Sequence, residues 1–152
     1  MKMKLDESLI KYISEKKHEP EFMLNFRLQS FREYEKMDEP NFGPEINIDF
    51  DNINYYKDNN NSLEDDWNKV DNEVKNTFCK LGVIKAEEEY LDGVTNQYES
   101  EVVYHSTKTD KDIIFTSTDD ALKKYPELFK KYFNTLVDYK ENKYTALNGA
   151  LW

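Results

Sequence analysis

Residues 13–28 decide how the fold is read: Ile13-Ser14-Glu15-Lys16-Lys17-His18-Glu19-Pro20-Glu21-Phe22-Met23-Leu24-Asn25-Phe26-Arg27-Leu28. The stretch closes one helix and opens another. Upstream of it, Asp6 is placed to cap a helix, because a carboxylate there accepts amide hydrogens that the first turn leaves unpaired. Leu9, Ile10 and Ile13 then fall on one face at helical spacing. His18-Glu19-Pro20 interrupts the pattern, since a residue before proline is pushed out of the helical region. Proline suits the first residue of a helix, where its missing N–H costs nothing. Pro20 therefore starts a second helix, running from about Glu21 to Met37. Phe22, Met23, Leu24, Phe26, Leu28, Phe31 and Tyr34 give it a broad apolar face. Helical periodicity assigns that face to packing between the two helices. Around Phe22-Met23-Leu24 it is wide enough to suggest a partner groove as well.

Outward from this pair the pattern breaks. Pro40, Gly43 and Pro44 mark irregular chain, and Ile46, Ile48 and Phe50 alternate with polar residues as a short extended piece would. The Asn/Asp tract at 58–62 reads as a mobile loop. After Trp67, residues Glu73 to Leu81 read as a helix with Val74, Phe78 and Leu81 inward and Gly82 ending it. Lys85 to Leu91 reads as a short helix, Glu101 to His105 as strand or helix start, and Ile113-Ile114-Phe115 as a buried strand. A helix from Asp119 to Tyr125 capped by Thr118 follows. Pro126 begins another, with Leu128, Phe129, Tyr132 and Phe133 apolar. In the last stretch, Lys143 to Trp152, Tyr144, Leu147 and Leu151 recur at helical spacing. The expected fold is mainly α with one or two short β-strands (α+β), a small single helical domain over 1–152.

Composition narrows the function. The chain has 152 residues, a net charge of -10 and 14% aromatic residues; its mean hydropathy is -0.92. So many aromatics can supply a core despite the polarity, and they argue against disorder. The acidity argues against nucleic acid, since no basic stripe is there to neutralise phosphates, and against an anionic membrane surface. One cysteine allows no disulfide within the chain, and no apolar run is long enough to span a bilayer. A cytoplasmic protein is expected. Leu147, Leu151 and Trp152 keep the sequence apolar to its last residue, which suggests a continuation or a partner surface.

Several blocks are similar to the SufB/SufD family of iron–sulfur cluster assembly scaffolds. Residues 13–28 resemble the family's IS-x-K-x-EPEWMLEFRL opening, with Phe22 where tryptophan is usual. Glu39 to Pro44, Ile48 to Tyr56, Val74 to His105 and Ile114 to Phe133 follow in order. Residues 142–152, NKYTALNGALW, resemble the family's NKFAALNSAVW. Gly149 and Leu151 depart from it, and Ser106 to Asp112 is a few residues short. The resemblance covers essentially the whole chain. It implies a helical N-terminal domain preceding a β-helix core that is absent here, so that this chain is a split or truncated part of a SufB-type scaffold. The implied partners are the remainder of SufB, SufD and the SufC ATPase, with contact to a cysteine desulfurase and its sulfur carrier as a further expectation. The iron–sulfur cluster belongs to the complete scaffold, whose ligands lie in the β-helix; no cofactor is expected on this chain.

The residues themselves agree with a non-enzymatic reading. Cys79 is the one candidate for sulfur or metal chemistry, but a lone helical cysteine reads first as a small buried hydrophobe. His18 and His105 share no metal-ligand spacing. Glu87-Glu88-Glu89 and Asp65-Asp66 read as solvated charge runs, and no phosphate loop or catalytic triad is visible. Contact residues are expected at Phe22, Phe26, Leu151 and Trp152. The alternative is a stand-alone acidic protein-interaction module with no cluster role.

Overall fold

A computed structural model describes residues 3–44, 47–58, 62–82, 91–108 and 112–152. The chain gathers into two compact units: residues 1–55 with 122–152, and residues 56–121. Among the described residues, helices predominate over one two-stranded sheet. Residues 85–90 of the expected Lys85–Leu91 helix, with the Glu87-Glu88-Glu89 run, Ile46 and the centre of the 58–62 loop, lie outside the described residues; Leu91 itself is coil and exposed.

The first unit is built on three helices: α1 (Glu7–Lys16), α2 (Glu21–Lys36) and α6 (Lys143–Leu151). Asp6 caps α1 as expected, its Oδ1 accepting from the amides of Ser8 at 2.8 Å and Leu9 at 3.1 Å. The Ser8 hydroxyl and the Leu9 amide hold the Asp6 carboxyl below its ordinary value of 3.8. The cap therefore contributes fully above that value and is lost as pH falls through the lowered folded value. Asp6→Ala is expected to cost about 1 kcal/mol near neutral pH. The difference in thermal stability from the parent should close in acid; a gap that persists there would assign the loss to something other than the carboxylate.

α1 ends in a Schellman turn. The His18 amide donates to the Glu15 carbonyl and the Glu19 amide to the Ser14 carbonyl, both at 3.0 Å. His18 takes φ 53 to make this turn, a left-handed conformation that suits glycine. His18→Gly is expected to raise stability by about 1 kcal/mol in chemical denaturation; a loss would mean the exposed imidazole contributes more than the strain costs. The turn leaves Pro20 extended, with φ -67 and ψ 155, as the residue before α2 and not its first member.

Leu9, Ile10 and Ile13 of α1 are buried, as are Met23, Leu28 and Phe31 of α2. α6 packs chiefly along α2. Its buried face is Ala146, Gly149 and Ala150, while Leu147 and Leu151 lie at its flanks, partly exposed. Small residues occupy the interface because the two backbones approach closely: a Cβ added at Gly149 would stand 2.7 Å from Ser30 Oγ and 3.1 Å from Ser30 Cβ. Asn142 caps α6, accepting from the Tyr144 and Thr145 amides at 3.0 Å. Ile48 is coil and Phe50 opens a 3₁₀ turn, Phe50–Asn52, so the described part of the expected extended piece is not a strand. Phe50 stacks on Tyr144 instead, centroids 6.1 Å apart.

The second unit centres on β1 (Gly93–Tyr98) and β2 (Glu101–Thr107), an antiparallel hairpin with an irregularity between Asn96 and Gln97. Glu64 bridges the other edge of β2, its amide donating to Val103 O and its carbonyl accepting from the His105 amide, both at 3.0 Å. Val103 and Tyr104 are buried with Val70, after the 3₁₀ turn Trp67–Lys69, and Val74 of α3 (Asn72–Lys80); Trp67 and Phe78 pack on this cluster.

Three expectations for this unit need correction. Leu81 is 73% exposed: it is the C-cap of α3, still helical in φ and ψ, and it is not part of the cluster of Val70, Val74, Val103 and Tyr104 on which Phe78 packs. Residues 113–115 are not a strand, and Ile113 is 59% exposed. Phe115 stacks on the His105 ring at 5.4 Å and lies over Gly93, whose missing Cβ makes room for it. The following helix, α4 (Thr118–Lys124), begins one residue earlier than expected; Ser117 Oγ accepts from the Asp120 amide at 3.2 Å, so Ser117 and not Thr118 caps it.

Candidate partner-binding face

α5 (Pro126–Tyr132) carries Pro126 in its first turn, where its fixed φ fits. Its C-terminal end meets α2 and the end of α6 in an aromatic cluster. Phe133 packs edge-on to Phe26 at 4.9 Å and to Trp152 at 4.9 Å, and stacks on Phe129 at 4.9 Å. Tyr139 closes on Phe26 at 5.4 Å. Edge-to-face pairs of this kind add to the area they bury and fix ring orientation.

Of the residues expected to contact a partner, the fold brings Phe26 and Trp152 together through Phe133. Phe22 is half-buried, with the Lys130 ammonium 5.6 Å from its ring centroid. Leu151 goes elsewhere: it packs against the Ile10, Leu28, Phe31 and Ala150 cluster. Phe26, Phe133, Tyr139 and Trp152 line an open groove of ≈ 390 Å³, whose rim is the turn 132–137. On that turn Leu136 is 97% exposed.

Beneath the groove lies Arg27, fully buried. Its Nε and Nη2 donate to the two carboxylate oxygens of Glu19 at 2.7 and 2.6 Å. The side chains of the pair are 0% and 1% exposed. Nη1 donates to the Ala150 carbonyl at 3.1 Å and Nη2 to the main-chain oxygen of Trp152 at 2.5 Å. The guanidinium also sits 5.9 Å from the Trp152 ring centroid. The Schellman turn aims Glu19 at Arg27, and Arg27 in turn satisfies carbonyls at the end of α6, which no helical amide reaches. This lock escaped the sequence reading. Its signal was Arg27 in phase with Met23 and Phe31 on an apolar face, with a carboxylate eight residues earlier.

The other candidates stay apart. Cys79 is exposed, contrary to the expected burial: α3 turns Val74 and Phe78 inward and leaves residue 79 on the outer side. His18 is exposed at its turn, and His105 Nδ1 shares a hydrogen with Thr95 Oγ1 at 2.7 Å. Among the described residues no three His, Cys, Asp or Glu side chains are grouped to hold a metal ion. Of the acidic run, Asp66 caps the 3₁₀ turn at Trp67–Lys69 through the Asn68 amide, which holds its carboxyl low. No described helix is long and apolar enough to cross a membrane.

The architecture is that of a helical α+β module with an aromatic groove and, among the described residues, no group of three His, Cys, Asp or Glu side chains that could hold a metal ion. The chain belongs to the SufBD family: the family described as SufBD protein N-terminal region matches residues 5–152. It is 48% identical over 97% of its length to an iron-sulfur cluster assembly SufBD family protein of Staphylococcus saprophyticus. It is 47% identical, again over 97%, to a protein of the same description from Staphylococcus aureus. The chain spans 33% of the length of each of these relatives.

Proposed function

We propose that this chain serves iron–sulfur cluster assembly in the cytoplasm as the N-terminal helical part of a SufB-type scaffold, acting through protein contacts and not through chemistry of its own. The observation that carries the reading is the family match over residues 5–152. The similarity to iron-sulfur cluster assembly SufBD family proteins of Staphylococcus supports it. The cluster is cargo of the complete scaffold; the described residues offer Cys79 alone, on an exposed helix, and one thiolate is not a cluster site. The contacts proposed are with the β-helix part of the scaffold and, through it, with SufD and the SufC ATPase.

Co-purification with the β-helix part, SufC and SufD, followed by anaerobic iron and sulfide analysis, tests this. A complex that holds cluster only when the β-helix part is present is the expected result. A chain that stays alone, folded and iron-free would overturn the reading and leave an independent acidic module.

A further inference from the structure

The aromatic groove lies beside a net-basic stretch of an acidic chain. Residues 122–143 carry six lysines against Glu127, Asp138 and Glu141. The rest of the chain is net acidic: residues 56–121 carry sixteen Asp and Glu against seven Lys, and residues 1–55 twelve against eight Lys and Arg. Two of the six ammonium groups stand over rings that line the groove: Lys131 is 5.0 Å from the Tyr132 centroid and Lys140 5.6 Å from that of Tyr139. Screening confines a charge's reach to about 8 Å at physiological salt. A segment entering the groove therefore meets Lys131 and Lys140 at its rings.

The apolar side of the groove is equally developed. Leu136 at 97% exposure and Val137 at 53% project beside the walls formed by Phe26, Phe133 and Trp152. Interfaces concentrate their energy in aromatic anchors within a polar rim, and exposed aliphatic groups beside aromatic walls supply such a centre. Charges at the rim choose the partner's sign more than they set its affinity.

We infer that this groove docks an extended acidic segment of a partner protein, one that alternates aromatic or leucine side chains with carboxylates. Its apolar side chains would lie against Phe26, Phe133 and Trp152, and its carboxylates would meet Lys131 and Lys140. The inference rests on the reading that this chain works by protein contact, and it names the chemistry of one such partner.

The test uses a short fluorescein-labelled peptide alternating Phe, Leu and Glu, with the same peptide carrying Lys for Glu as its control. Anisotropy should report saturable binding of the acidic peptide only, weakening as salt rises. Leu136→Asp and the paired Lys131→Glu, Lys140→Glu should each weaken it by about tenfold or more. These side chains are exposed, so unchanged melting curves are expected to accompany the loss. Equal binding of both peptides, no binding, or binding unaffected by these variants would overturn the assignment. Concentration-dependent dimerisation of the chain, abolished by Leu136→Asp in sedimentation, would overturn it in favour of a second copy as occupant. If the acidic peptide fails while Leu136→Asp still breaks co-purification with the scaffold partners, the groove's acidic specificity falls and the assembly reading stands.

Discussion

Arg27→Met is expected to destabilise the helical unit by about 3–5 kcal/mol, the range measured when one member of a buried ion pair is removed. Glu19 would keep its charge at a side chain that is 1% exposed, with nothing to answer it. The Ala150 carbonyl and the Trp152 main-chain oxygen would lose their donor at the same time. A loss of that size is a large share of the stability of a small domain. Arg27→Lys should fall between the parent and Arg27→Met, because an ammonium keeps the charge but cannot serve a carboxylate bidentately and two carbonyls at once. Glu19→Gln in the Arg27→Met background should recover part of the loss, since it removes the orphaned charge. Urea unfolding, followed by Trp152 fluorescence in a Trp67→Phe background, measures all three. A change below about 1 kcal/mol for Arg27→Met would mean that the guanidinium exchanges its partners freely for water.

The second large effect is expected at Gly149. A leucine there has no room: the first carbon alone would stand 2.7 Å from Ser30 Oγ and 3.4 Å from the tip of the Phe26 ring. α6 would have to move off α2, costing about 3 kcal/mol or more by overpacking. The groove should open with it, because Phe26 and Trp152 are held by the same two helices. Gly149→Ala sets two effects against each other. Alanine gains about 1 kcal/mol of helix propensity over glycine, and the clash with Ser30 costs about 1–3 kcal/mol, so a smaller net loss is expected. Ser30→Ala in the Gly149→Ala background removes the nearest atom and should recover stability, although it also deletes the 2.9 Å bond from Ser30 Oγ to the Phe26 carbonyl. Thermal unfolding of the three variants settles the sign. A stabilised Gly149→Ala would mean that α6 shifts at little cost and that close approach is not what fixes glycine at this position.

Local chemistry was legible in the sequence wherever it acts within a few residues. Asp6 as a cap, Pro20 as a break, Pro126 in a first turn and Gly82 as a stop each depend on the conformation of one residue and its near neighbours. The buried face of α1 was legible for the same reason, since a 3.6-residue period is set by the helix itself. The family could also be read from the collinear blocks, because motif order is a property of the sequence alone.

Burial beyond a helix's own period was decided elsewhere. Leu147 and Leu151 have the right spacing, yet α6 buries Ala146, Gly149 and Ala150. Helices that approach closely choose small residues, and only the position of α2 makes that approach. Ile113-Ile114-Phe115 has the composition of a strand, but its only ring placement that matters is set by Gly93 and His105, distant in sequence. Cys79 is exposed because it falls on the outer face of α3, and Leu81 is exposed at the end of that helix, where the Val70, Val74, Val103 and Tyr104 cluster does not cover it. Arg27 is the sharpest case. Its burial requires a carboxylate delivered by the His18 turn and carbonyls from a helix more than a hundred residues away. The sequence by itself determined the helices, their caps and the family; the tertiary structure decided which side chains became core, lock or groove, because burial and ion pairing are properties of neighbours that the chain brings together only by folding.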